Sequence, residues 1–205
     1  QGIGMVRSAA ALRGQLLDAA LRLFQQRGFR GTSLQDIARE VGCSKASLLY
    51  HFTSKETILV EVLTPCTSAL DALADSLRQV PTSEMARRAV EGFVDLVIQY
   101  RQEISLMLAE ASETSAASAD APTLTNDQRA ERLVLALSGA SRDPQARLRS
   151  WMAIGAVVVA ATSPGSEGSP AWLRRELVDG TLRILHPPRT IPLGPADASV
   201  PARTP

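Results

Sequence analysis

TSLQDIAREVGCSKASLLYHFTSKE, residues 32–56, is the stretch whose reading decides the fold. Thr32 stands three residues before Gln35, the spacing of a capping box in which a hydroxyl accepts a backbone amide and the later side chain reaches back. A helix over about 33–41 follows, with Leu34, Ile37, Ala38 and Val41 on one face. Gly42 lies just past that face, where a left-handed residue stops a helix and turns the chain. Ser44 opens a second helix, Lys45 to His51, that buries Leu48 and Phe52 and leaves Lys45, Ser47, Leu49 and Tyr50 on other faces. Two short helices joined by a tight glycine turn form a helix-turn-helix, and the exposed set on the second suits a DNA major groove. Thr53-x-x-Glu56 repeats the capping-box spacing. Lys55 then sits in a first turn, where a cation opposes the helix dipole, and a nearby phosphate would account for it.

Widened to Leu16–Leu59, LLDAALRLFQQRGFRGTSLQDIAREVGCSKASLLYHFTSKETIL, the stretch resembles the DNA-binding domain of TetR/AcrR-family transcriptional regulators. The likeness rests on an apolar first helix, the Gly28-Phe29 exit, Thr32, Ile37-Ala38, Gly42-x-Ser44, His51-Phe52 and Ser54-Lys55-Glu56, in that order. Cys43 replaces a usual Val, and Leu49, followed by Tyr50, replaces a usual Tyr. The resemblance covers the first third of the chain. It implies an all-α protein, with an N-terminal three-helix DNA-binding domain over 10–70, a helical ligand-binding and dimerisation domain over 71–187, and a Pro-rich tail over 188–205. The expected DNA-facing set is Thr32, Ser33, Ser44, Lys45, Ala46, Ser47, Leu49, Tyr50, His51 and Lys55. The implied function is a cytoplasmic homodimeric repressor, bound to an inverted-repeat operator and released by an apolar or amphipathic small molecule. Regulation without a ligand, and an enzyme built on a helical bundle, are the alternatives.

Composition agrees with this class. The 205 residues are 45% hydrophobic and only 4% aromatic, enough for a sizeable core, with no β-branched run bounded by hairpin turns. Net charge is +1 over the chain, but Arg13 to Lys55 holds seven Lys or Arg against three acids, a regional balance of +4. No continuous apolar run reaches the roughly 18 residues of a membrane span. Residues 1–4 precede Met5, which is taken as the start. Cys43 and Cys66 fit a reducing compartment as small hydrophobes. The two histidines, His51 and His186, lie far apart, and Ser44, Ser47 and Ser54 have no acid-base set, so no metal, cofactor or catalytic site is expected.

Along the chain, Leu12, Leu16, Ala20, Leu23 and Phe24 predict a first helix over 12–27. A fourth helix from Ser54 toward Leu77 carries Pro65, and a kink or break near 62–64 is expected. Helices are predicted over 82–101 and 103–111. Small polar residues over 112–127 predict a loop, and Thr125-x-x-Gln128 caps a helix to 137. Asp143-Pro144 and Ser169-Pro170 then introduce the last two helices, to 162 and 185. The dimer seam is expected on these two, through Trp151, Ile154, Val158 and Ala161, with Ala153, Gly155, Ala156, Ala160 and Ala161 allowing close approach, and through Trp172, Leu177, Leu182, Ile184 and Leu185 of the second helix. Phe93, Val97, Tyr100, Met107, Trp151 and Met152 are the candidate ligand-cavity residues. Asp95, Glu103, Glu110 and Glu113 are read as a solvated acidic face.

Overall fold

The structure, a computed structural model, describes residues 9–111, 126–163 and 169–187. Their regular structure is helical: α1 Ala9–Arg27, α2 Leu34–Val41, α3 Lys45–His51, α4 Lys55–Ser76, α5 Thr82–Gln99, α6 Arg101–Ala111, α7 Asn126–Leu137, α8 Pro144–Thr162 and α9 Pro170–Leu185. A single 3₁₀ turn, Leu77–Gln79, joins α4 to α5. The Thr125 cap, Glu113 and the Pro-rich tail lie outside the described residues.

Two apolar clusters organise these helices. Leu16, Ala19, Ala20, Leu23 and Phe24 of α1 meet Ile37 and Ala38 of α2, Leu48 and Phe52 of the α3 region, and Ile58 and Val62 of α4. The second cluster runs from Cys66 through α5, α7, α8 and α9 to Leu185. Both clusters are built on α4, and the change-over falls between Leu63 and Cys66, on either side of Pro65.

Of the kink or break expected near Pro65, the break does not occur, since α4 is one helix from Lys55 to Ser76 with the proline inside it. Proline leaves the Glu61 carbonyl without its usual amide partner. Packing on both sides holds the helix together across that defect. The hydroxyls of Thr64 and Thr67 turn back onto their own helix, donating to Val60 O at 2.7 Å and Thr64 O at 3.1 Å. By composition the 25 residues Lys55–Gln79 are long and apolar enough to pass for a membrane span, although charges interrupt the run. Here Ile58, Leu59, Val62 and Leu63 join one cluster and Cys66, Ala69, Leu70, Leu73 and Leu77 the other, while Val60 stays exposed.

The helix ends follow local chemistry. Asp143 accepts the Ala146 amide and Ser169 the Trp172 amide, each with proline at the next position. Gly42 takes φ 74° and closes α2. Gly31 is required by proximity, because a Cβ there would lie 2.2 Å from the Arg27 carbonyl oxygen.

Candidate nucleic-acid interface and ligand cavity

The caps of α2 and α4 lie one residue later than the capping-box spacing predicts. Ser33, not Thr32, caps α2: its hydroxyl accepts the Asp36 amide while the Asp36 carboxylate accepts the Ser33 amide at 3.0 Å. These bonds hold the Asp36 carboxyl below its usual range, the Ser33 hydroxyl contributing most. Thr32 is 1% exposed, and its hydroxyl donates to Gly28 O at 2.9 Å and Leu23 O at 3.2 Å. It closes the end of α1, where carbonyls lack helical partners, so its side chain is not a DNA-facing group. Likewise Ser54, not Thr53, caps α4, accepting the Thr57 amide at 3.2 Å. Glu56 is held below its usual range by its own backbone amide and by the Ser54 hydroxyl.

Lys55 corrects a second expectation. Its ammonium donates to Phe29 O at 2.6 Å and Thr32 O at 2.8 Å, and lies 4.3 Å from the centroid of the Phe29 ring. The cation in the first turn of α4 is therefore accounted for by carbonyls of the α1–α2 turn, which no local pattern reveals. Other cations of the basic segment are also engaged. Arg13 pairs with Glu61, Arg22 with Glu40 at 3.6 Å and Arg39 with Asp36 at 3.2 Å. The regional surplus of charge locates the basic segment, but local pairing decides which cations face outward.

What α3 presents is clearer. Ser44 caps it through the Ser47 amide at 3.1 Å, and fully buried Leu48 fixes its rotation. Lys45 and Ala46 are exposed, and Lys45 makes no ion pair among the described residues. Ser47 and His51 are half-buried. Leu49 is 43% exposed and Tyr50 83%, the Tyr50 ring resting edge-on to His51 at 5.3 Å. Two large side chains left in solvent on a helix whose other side is sealed form a surface made for contact.

A cavity of about 410 Å³ lies among α4–α8. Its wall comes from Cys66, Thr67 and Leu70 of α4, Phe93 and Leu96 of α5, and Ile104, Met107 and Leu108 of α6. Asp127, Arg129, Ala130 and Leu133 of α7 and Trp151, Ile154 and Val158 of α8 complete it. Of the residues expected around a ligand, Phe93, Met107 and Trp151 line this cavity. Val97 is instead wholly buried core, and Tyr100 packs half-buried against the second cluster. Met152 is 58% exposed on the outer side of α8. The residues that the pattern misses are mostly apolar positions on helices, where cavity wall and solid core have the same spacing.

Arg129, 7% exposed, is the buried charge of this wall, and Asp71 holds it through Nε and Nη2 at 3.0–3.1 Å. Burial pushes the Cys66 thiol up to about 11, with nearby Glu103 adding to the effect. Among the described residues, no group of three or more His, Cys, Asp or Glu could hold a metal ion.

The outer surface of α8 and α9 carries Met152, Val159 at 60% exposure, and Trp172. A groove between them is lined by Ala156, Ala160, Leu177, Gly180 and Ile184. Of the residues expected in a seam, Ala156, Ala160, Trp172, Leu177 and Ile184 border this groove, whereas Trp151, Ile154 and Val158 line the cavity and Ala161 is buried.

Comparison with known proteins separates the two halves. Residues 16–62 match the family model described as bacterial regulatory proteins, tetR family. Over 55 residues the chain is 42% identical to IcaR, a negative transcriptional regulator of the biofilm operon icaADBC in Staphylococcus aureus; the match covers 27% of this chain and 30% of that protein. Over 57 residues it is 47% identical to the transcriptional regulator RutR of Escherichia coli, covering 28% and 27%. The chain thus spans less than a third of the length of the curated relatives it matches. Among solved structures, the ketosteroid transcriptional regulator KstR2 of Mycobacterium tuberculosis aligns with TM-score 0.67 and 22% identity over 84% of this chain and 92% of that one. AibR, crystallised with isovaleryl coenzyme A and operator DNA, aligns with TM-score 0.62 and 22% identity over 86% and 99%. These likenesses show a shared helical fold over 84–86% of the chain.

Proposed function

We propose that this chain, of the TetR family by its N-terminal sequence and its overall fold, is a cytoplasmic, sequence-specific, homodimeric transcriptional repressor released from its operator by a small molecule. The observation that carries the DNA-binding part is α3 itself, held by buried Leu48 and presenting unpaired Lys45, exposed Leu49 and nearly bare Tyr50. Lys45 and Ser47, at the N-terminal end of the helix, face base edges, while Tyr50 and the Ser44 end meet phosphates. Repression is supported by likeness to IcaR, a negative regulator. The ligand reading rests on the cavity, whose volume falls within the roughly 300–1,000 Å³ of small-molecule sites. Dimerisation is supported by the outward apolar face of α8 and α9, since one recognition helix covers few bases and paired half-sites supply specificity.

The test is to sequence the DNA retained by the purified protein from a fragmented genome. An inverted repeat with half-sites about one helical turn apart, roughly 34–36 Å, is the expected result. Retention without sequence preference would overturn the reading. Regulation without a ligand is the second reading; it is favoured if no small molecule raises the melting temperature of the protein while operator binding stands.

A further inference from the structure

We propose that the cavity among α4–α8 takes an uncharged, predominantly hydrophobic molecule and rejects both anions and cations. This deepens the ligand-release reading and rests on it. Arg129 and Thr67, the polar groups set into the wall, are already satisfied from within the protein, and Asp127 lies exposed at its edge. Both oxygens of Asp71 face Arg129 at 3.0–3.1 Å, and Arg132 approaches the same carboxylate at 3.8 Å. The Thr67 hydroxyl donates to Leu63 O at 3.3 Å and Thr64 O at 3.1 Å. The Cys66 thiol stays protonated at neutral pH, its value raised to about 11 by burial.

An anionic ligand would have to draw Arg129 away from Asp71 and leave that carboxylate half-paired beside an apolar wall. It would also approach Asp127, the exposed acid at the cavity edge, and the nearby Glu103. Among the described residues, no exposed cation lies on the wall to receive the phosphates of a group such as the isovaleryl coenzyme A of AibR. A cation fares no better, because Asp71 is neutralised and Asp127 is reached more cheaply from water. A charge entering here loses hydration without gaining a partner, whereas an apolar body gains the faces of Phe93 and Trp151 and the side chains of Leu70, Met107 and Leu133.

The chain has two tryptophans, so in full-length Trp172→Phe protein Trp151 becomes the sole tryptophan reporter on the cavity. N-phenyl-1-naphthylamine serves as the uncharged probe, with energy transfer from Trp151 as the signal. Displacement is then compared for 1-decanol, decanoate and decyltrimethylammonium, each below its micelle-forming concentration. Decanol should displace the probe at a concentration lower by roughly tenfold or more than either charged analogue, because an uncompensated charge costs more than one tenfold step in affinity. Ile154→Phe, and separately Val158→Phe, should fill the cavity and abolish the signal with helicity retained. Tighter displacement by decanoate that disappears in Arg129→Gln would overturn the proposal in favour of an anion site. Tighter displacement by decyltrimethylammonium would overturn it in favour of a cation site. If the probe leaves Trp151 unchanged, or binds the filled variants equally well, the cavity is no ligand site, and ligand release falls with the proposal. The DNA-binding reading is judged separately, by the operator selection.

Discussion

At the scale of single residues, Lys55 shows how a tertiary partner changes a role. Its ammonium is shared by two carbonyls of the α1–α2 turn, so Lys55→Met should destabilise the N-terminal domain by about 1.5–3 kcal/mol, the range for hydrogen bonds to a charged group. Chemical denaturation measures this. The salt dependence of DNA binding should hardly change; a slope reduced by about 1 without loss of stability would instead make Lys55 a phosphate contact. Acid should act through the caps. The carboxyls of Asp36 and Glu56 are both lowered from ordinary values of 3.8 and 4.5. A lowered acid binds fewer protons folded than unfolded, so its contribution is present above those values and is lost as pH falls below them. Cys66 has the opposite sign: raised from 9.0 to about 11, it favours the folded state below pH 9 and loses that contribution as pH climbs toward 11. Stability measured against pH should therefore fall at both ends, and replacing Cys66 with Ala should remove its part of the alkaline decline.

At the scale of elements, α4 and α8 each separate two roles by rotation or position. On α8, Ile154 and Val158 face the cavity while Val159 faces outward, about 100° further round. Val159→Glu should yield monomers by light scattering and lose operator affinity with the N-terminal domain still folded; a surviving dimer would move the seam off this face. On α4, Pro65→Ala restores an amide donor toward the Glu61 carbonyl in a helix that is already continuous. A rise in stability of up to about 3 kcal/mol is expected, the usual cost of an interior proline. A fall would mean that the altered helix no longer fits the two clusters it joins.

At the scale of the molecule, the two clusters share more than α4. Leu106 of α6 is 2% exposed within the N-terminal cluster, while its neighbours Ile104, Met107 and Leu108 line the cavity. One short helix thus touches both the candidate ligand site and the packing behind α1. A ligand that shifts α6 must also shift Leu106, and coupling energies of about 1–3 kcal/mol already change affinity 5- to 150-fold. Leu106→Ala should cost about 2–5 kcal/mol of stability as a core truncation. It should also bring the ratio of operator affinities without and with a saturating ligand closer to one. An unchanged ratio would leave α4 as the connection.

The sequence by itself determined the helices, the helix-turn-helix and the rotation of α3. Periodicity, proline-first caps and Gly42 act within a few residues, and that range is what a linear pattern records. Of the sequence's six candidates for a cavity wall, Phe93, Met107 and Trp151 line the cavity that the helices enclose. Tertiary structure alone decided which neighbouring hydroxyl became a cap, because Thr32 was drawn to the Leu23 and Gly28 carbonyls. It decided that Lys55 serves a turn 23 and 26 residues away. It also decided that Val97 is core, that Met152 is surface and that Val158 faces the cavity. Each of these depends on what a helix meets after it docks. An apolar stripe reports only that a face will be buried; whether a solid core, an open cavity or a second chain covers it follows from the arrangement of the other helices.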